Sequence, residues 1–187
     1  MGNLTEIQKS IVTGSILGDG YLRIIPGRTN AILEINHSIK QKDYVDWLFQ
    51  QLKNLIITPP KLRRGNGKRI AYRFFTRQHP ELSEIYNEFY VNGRKLVPKD
   101  LKLDPISLAV WFMDDGSKSY RTFYLNTQRF DQESQNHLIE KLRIMGIKSS
   151  LNKDKIYFRI RISGSDSKKF CDTIKPYIIE SMKYKLG

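Results

Sequence analysis

The chain has 187 residues, 40% of them apolar, which suits one compact domain or two small halves sharing a core. Lys and Arg number 32 against 19 acids, a net charge of +13; a surplus of that size favours polyanion binding through counterion release, or serves solubility alone. No apolar run reaches the ~18 residues of a membrane span, the start MGNLTEIQKSIVTGS has no leader-peptide pattern, and the one cysteine, Cys171, makes neither an internal disulfide nor a zinc site.

Gln8 to Asp19 reads as a helix that ends in an acid, in the string Val12-Thr13-Gly14-Ser15-Ile16-Leu17-Gly18-Asp19-Gly20. Tyr21 to Ile24 begins a strand, Pro26 to Asn30 is a turn, and Ala31 to Ser38 returns. Leu33 and Ile35 point inward on that return strand, with Glu34, Asn36 and Ser38 outward. Asp43 to Leu55 carries Tyr44, Val45, Leu48, Phe49 and Leu52 at helical spacing. Arg69 to Phe75 is a strand with Arg69, Ala71 and Arg73 outward, and Pro80 to Phe89 a helix opened by proline. Val91 to Asp100 reads as a junction.

The second half repeats this order. Ser107 to Asp115 is a helix, in Leu108-Ala109-Val110-Trp111-Phe112-Met113-Asp114-Asp115-Gly116. Gln132 to Met145 is another, stopped by Gly146. Lys155 to Ile162 alternates strictly, with Ile156, Phe158, Ile160 and Ile162 on a core face and Lys155, Tyr157, Arg159 and Arg161 on a cationic one. Ser165 to Ile179 closes as a helix with Ser165 as N-cap and Phe170, Cys171, Ile174 and Ile178 inward. Ile35-Asn36 and Leu125-Asn126 lie 90 positions apart, as do Leu48 and Leu138, Leu52 and Leu142, and Lys95 and Lys185. Asp19 and Asp115 lie 96 apart. The first hairpin is therefore about six residues longer, and the whole predicts a pseudo-two-fold molecule.

Gly14, Ser15 and Gly18 are poor helix formers that make sense where a second helix approaches closely. If the two acidic helices pack side by side, Asp19 and Asp115 emerge together. A carboxylate at a helix C-terminus meets the negative end of the macrodipole, and two carboxylates repel each other. A divalent cation reverses that penalty, and an all-oxygen site with room for water and phosphate suits Mg²⁺. Read singly, each Asp is an ordinary helix-ending residue before Gly. The repeated pair points to metal-assisted hydrolysis of a phosphodiester. Gly18 and Asp114 complete the candidate metal set, Asp114 standing behind Asp115 because its counterpart by alignment is Gly18.

These strings resemble the LAGLIDADG homing endonucleases of the single-chain, two-motif type. The similarity extends to Leu125-Asn126-Thr127-Gln128, Ile174-Lys175-Pro176-Tyr177 and Met182-Lys183-Tyr184-Lys185-Leu186. The resemblance implies an α+β fold of two pseudo-symmetric αββαββα halves packed through the motif helices, divided as 1–95 and 96–187. Each half then presents an antiparallel DNA-binding saddle. It implies Mg²⁺-dependent cutting of both strands with 3′ overhangs, Mn²⁺ substituting and Ca²⁺ binding without supporting cleavage. It makes Asp19 and Asp115 the catalytic acids and Lys95 and Lys185 their basic companions. It further implies a monomer acting on a long, asymmetric double-stranded DNA site, encoded by an intron and acting in the mitochondrial matrix or another organelle. The alternative on the same scaffold is a maturase that binds group I intron RNA.

Outward strand positions supply the candidate DNA readers, since Arg pairs with guanine and Asn or Gln with adenine in the major groove. They are Arg23, Glu34, Asn36, Ser38, Lys40, Arg69 and Arg73, then Tyr124, Asn126, Gln128, Lys155, Tyr157, Arg159 and Arg161. Lys61, Arg63, Arg64, Lys68, Lys118 and Lys153 read as phosphate contacts, which position without specifying. His37, His79 and His137 have no metal-ligand spacing; His37 falls on the inward face and reads as a hydrogen-bonded core histidine.

Overall fold

The computed structural model describes residues 2–65 and 69–187. The chain forms two compact units, Met1–Asn87 and Glu88–Gly187. The first runs through helix α1 (Glu6–Leu17), strands β1 (Tyr21–Ile24) and β2 (Ala31–Ser38), helix α2 (Lys42–Gln51), strands β3 (Lys61–Arg64) and β4 (Ile70–Phe75), and all but the last two residues of helix α3 (Pro80–Phe89). The second opens on a small hairpin, β5 (Tyr90–Val91) and β6 (Arg94–Lys95). It continues through α4 (Pro105–Asp115), β7 (Gly116–Ser119), β8 (Thr122–Leu125), α5 (Gln132–Ile144), β9 (Ser149–Asp154), β10 (Tyr157–Ile162) and α6 (Ser167–Ile174). Each unit thus contains the predicted αββαββα order.

Local chemistry sets the helix starts. Thr5 accepts from the Gln8 backbone while the Gln8 side chain accepts from Thr5, a capping box that opens α1. Asp104 and Ser107 do the same for α4, and Pro105 fills its first turn, where no amide donor is needed.

Each unit holds a four-stranded antiparallel sheet, ordered β1-β2-β4-β3 in the first and β7-β8-β10-β9 in the second. One face of each carries the core. Leu22, Leu33, Ile35 and Phe74 are fully enclosed in the first unit with Tyr44, Val45 and Leu48 of α2. In the second, Leu125, Ile160 and Ile162 are equally enclosed, and Phe112, Phe123 and Phe170 meet with ring centroids 5.2–5.6 Å apart. The 90-residue repeat is a repeat of core positions: Leu48, Leu52, Leu138 and Leu142 are all fully buried. Burying a leucine contributes about 1.5–3 kcal/mol, so these positions hold the pattern.

The loop in the first hairpin spans residues 25–30, whereas Tyr120 and Arg121 suffice in the second. Several expectations need correction. β10 begins at Tyr157, because Lys155 adopts φ 58° in a tight turn and Ile156 is 79% exposed. That hairpin tip extends past the core, so alternation continues there without burial. Ala71 faces outward by register but is buried, its single carbon shielded beside its strand partners Ser38 and Arg63. The predicted helix 43–55 becomes α2 and a 3₁₀ turn, Lys53–Leu55. The predicted helix 165–179 becomes two 3₁₀ turns around α6; Pro176, with no amide donor, stands in the second. Ser165 lies inside the first of those turns instead of capping α6, and Cys171 is half-buried. Within the supposed junction, Asn92 and Gly93 both take positive φ and close the β5–β6 hairpin. Among the described residues no helix is long and apolar enough to cross a membrane.

Candidate active site and cationic sheet faces

The two motif acids are not held alike. α4 runs through Asp115 and passes directly into β7. α1 stops at Leu17, and Asp19 lies two residues beyond it, ahead of β1. The expectation that both helices end in the acid therefore holds only for the second. Gly18 donates to the Gly14 carbonyl at 3.1 Å, and Gly20 reaches back to Ser15 at 2.7 Å, so the chain wraps tightly around the helix end. The Asp19 carboxylate is 44% exposed and that of Asp115 is 20% exposed. Asp19 is thus the more accessible of the two.

The glycine after each acid has a steric cause. A Cβ on Gly20 would stand 2.7 Å from the Ser15 oxygen and 2.8 Å from its carbonyl carbon. A Cβ on Gly116 would run into the ring and carbonyl oxygen of Phe112. Each acid is thus followed by a residue that lets the new strand leave flush against the last helical turn.

Each acid also has cationic or ionisable company within its own unit. His37 on β2 is buried and sets Nδ1 3.9 Å from the Asp19 carboxylate, its ring edge-on to Tyr44 at 5.3 Å. The core placement is as predicted, although 3.9 Å is an ionic rather than a hydrogen-bond separation. Arg129 donates from Nη2 to Asp115 Oδ2 at 3.2 Å. Lys185 donates to the carbonyls of Phe112, Met113 and Asp114, the last at 3.0 Å. It therefore answers the negative end of α4. Protein cations share the electrostatic burden at Asp115. Removing the ammonium in Lys185→Met is expected to cost about 1.5–3 kcal/mol, the range for bonds to a charged group. A lowered urea midpoint, partly restored in Lys185→Arg, checks this.

Lys95 stands on β6 in the second unit, its ammonium 5.9 Å from the Phe130 ring. It lines a surface cavity with Arg94, Leu96, Arg129, Phe130 and Asp131. Asp131 caps α5, and the Ser134 backbone N–H bonded to its carboxylate holds its pKa below the usual range. Asp114 is buried, its carbonyl taken by Lys185. Among the described residues no cluster of three His, Cys, Asp or Glu is built for a metal. The accessible donors are carboxylate oxygens, from exposed Asp19 in the first unit and partly exposed Asp115 in the second, with buried Gly18 and Asp114 adjoining. That suits an ion that keeps several waters and takes further oxygens from phosphate.

Strand register settles which candidate readers share a face. In the first unit, Tyr21, Arg23, Glu34, Asn36, Ser38, Arg73, Phe75, Lys61 and Arg63 lie on the face opposite the core. Arg64 pairs with Ile70 and falls on the other face. Lys40 is exposed in a 3₁₀ turn after β2, Arg69 is exposed before β4, and Lys68 lies outside the described residues. In the second unit, Ser117, Tyr124, Asn152, Tyr157, Arg159 and Arg161 share the polar face. Tyr157 is 53% exposed and so not a core residue. Lys118 pairs with Phe123, and Lys153 with Phe158, on the core side of the sheet, where both are exposed at its margin. Lys155 sits in the hairpin turn. The Asn126 backbone N–H donates to the Asp115 backbone carbonyl at 3.0 Å, and the Gln128 side chain donates to the Asp154 carboxylate at 3.0 Å.

Two residues escaped the sequence reading. Arg129 lies one place off the alternation that selects Asn126 and Gln128, and only the fold returns it to Asp115. Phe75 was assigned to neither face, and its partner Glu34 puts it on the polar one. The signal available was its odd-numbered step with Arg73.

Comparison with known proteins came to the same place. The profile described as the LAGLIDADG DNA endonuclease family matches residues 9–170. The chain is 34% identical to a probable intron-encoded endonuclease 1 of Wickerhamomyces canadensis, over 98% of this chain and 85% of that one. It is 31% identical to the cytochrome b mRNA maturase bI2 of Debaryomyces hansenii, over 93% of this chain and 71% of that one. The solved structure of the homing endonuclease I-WcaI bound to its DNA recognition sequence superposes with a TM-score of 0.92 at 31% identity, over 100% of this chain and 88% of that one.

Proposed function

Because the chain belongs to the LAGLIDADG DNA endonuclease family, we propose that it is a site-specific homing endonuclease that hydrolyses both strands of DNA and leaves 3′ overhangs. The observation that carries this reading recurs in each unit. An acid, exposed at Asp19 and partly exposed at Asp115, stands where the motif helix gives way to the first strand of a sheet whose outer face is polar and cationic. The sheets bind and orient the duplex, and the acids address the phosphodiester.

Asp19 and Asp115 would hold Mg²⁺, for which Mn²⁺ substitutes while Ca²⁺ occupies the site without turnover. When bound, such an ion would supply Lewis acidity for water and for the leaving oxygen. Arg129 holds the Asp115 carboxylate and fixes its orientation. Lys185 pins the carbonyls just before it. Lys95 offers a second ammonium beside Arg129, available to phosphate charge. The net charge of +13 draws the protein to DNA, and the affinity falls steeply with salt. Two motif units in one chain support a monomer and an asymmetric target. Relatives named as intron-encoded support an organelle as the place of action.

A randomised-target cleavage selection with Mg²⁺, repeated with chelator, tests this reading. Expected is a long asymmetric site cut only with the metal; cutting that survives chelation, or no cutting of any target, overturns it. The similarity to a maturase supports a second reading, RNA splicing on the same scaffold. Tight binding to a group I intron RNA, with splicing that survives loss of both acids, would favour that reading instead.

A further inference from the structure

Each polar sheet face carries an arginine beside an aromatic ring, with its Nε buried and making no hydrogen bond. In the first unit, Arg23 and Arg73 set their guanidinium carbons 5.7 and 5.1 Å from the Phe75 centroid. Glu34, between them on β2, approaches Arg23 at 3.6 Å and Arg73 at 3.8 Å. In the second unit, Arg159 lies 4.1 Å from the Tyr124 centroid. Arg23 Nε and Arg159 Nε are both enclosed without a hydrogen-bond partner. The separations to Glu34 exceed hydrogen-bond length, so the carboxylate restrains charge without consuming the donors. Next to the first cluster is a cleft of about 780 Å³ that Arg23, Arg73 and Phe75 line with Lys61, Arg63 and Arg77.

A stray surface arginine samples many rotamers and reads nothing. An arginine held over a ring by cation–π attraction samples fewer rotamers, which favours presenting the outer edge of the fork to a planar partner. In the major groove the partner that matches a guanidinium fork is guanine, through O6 and N7. Glu34 adds a second effect. It offsets one of two adjacent positive charges, which weakens attachment to phosphate and leaves the directional contact in place.

We propose that Phe75 and Tyr124 are positioning residues for specificity: they orient Arg23, Arg73 and Arg159 to read guanine, one cluster in each half of the target, with Glu34 suppressing non-specific binding. This rests on the reading of the two faces as the DNA-contact surface. Phe75 and Tyr124 contact no phosphodiester chemistry in this scheme, so their loss alters recognition rather than turnover.

The test is target selection with the wild-type chain, Phe75→Leu, Tyr124→Leu and Glu34→Gln, together with binding to cognate and unrelated duplexes over a salt series. Wild type is expected to require guanine at positions in both half-sites. Phe75→Leu relaxes that requirement in one half-site, and Tyr124→Leu in the other, each on the order of ten-fold. KM rises while kcat at saturating target stays. Glu34→Gln tightens binding to unrelated DNA and steepens its salt slope by about 0.9, one more phosphate contact. Thermal melts of each variant separate these effects from unfolding, and Arg73→Lys, which keeps the charge but loses the fork, must mimic Phe75→Leu. The inference is overturned if wild type cleaves its target but shows no guanine requirement, or if folded variants keep the wild-type base profile and salt slope. A wild-type chain that selects no DNA target at all sinks the endonuclease reading instead.

Discussion

Asp115→Asn and Asp19→Asn are each expected to abolish cleavage, a fall of about 10³-fold or more, equivalent to roughly 4 kcal/mol of transition-state stabilisation. Asparagine keeps the size of the side chain and removes its charge. Neither carboxylate caps a helix start, and both are open to solvent. The fold therefore has little reason to fail. Affinity for DNA should hold or increase, because a negative charge facing phosphate is gone. Arg129, which now bonds the Asp115 carboxylate, can still bond an amide oxygen. The outcome is read as conversion of supercoiled plasmid to nicked and linear forms, beside a binding isotherm in Ca²⁺. Linear product at the wild-type rate from either variant would remove that acid from the mechanism.

Gly20→Ala carries the second large effect, through sterics alone. The added carbon meets the Ser15 backbone at 2.7–2.8 Å, and backbone in a helix end cannot rotate aside as a side-chain tip can. Gly116→Ala meets Phe112, whose ring is locked among Phe123 and Phe170. Each substitution is expected to cost about 3 kcal/mol, the upper range for overpacking. It should also shift the preceding acid. A displacement near 1 Å at a reacting group costs on the order of 10²-fold in rate. Urea denaturation and single-turnover cleavage, measured together, check the pair. Alanine variants with wild-type stability and rate would show that the strand can leave the helix by another path. Gly93, in open space at φ 74°, provides the contrast: alanine there meets only the backbone strain of a left-handed residue.

The two clusters and the two acids differ in detail between the units. Asp19 answers to a buried histidine and Asp115 to an exposed arginine and a lysine-capped helix. A duplex with unlike half-sites fits a chain whose halves share a core repeat but not their polar neighbours.

Much of this protein was determined by sequence alone. The 90-residue spacing of Leu48 with Leu138 and of Leu52 with Leu142 marks equivalent buried positions, because burial constrains residue type strongly and locally. Alternation on β2 placed Glu34, Asn36 and Ser38 on one face, since the period of a strand is fixed. The motif strings singled out Asp19 and Asp115, each just ahead of a glycine that a Cβ would not fit. What pattern could not supply was anything that depends on where a strand pairs or stops. Arg64, Lys118 and Lys153 carry the right charge, but register turns them to the other side of their sheets. Lys155 continues an alternation that the chain ends with a turn. Arg129 and Phe75 join functional neighbours only across long sequence separations, 14 residues to Asp115 and a strand crossing to Glu34. Periodicity reports the direction of a side chain relative to its own segment. Which cation faces which acid is decided when strands pair and helices dock, so it belongs to the tertiary structure.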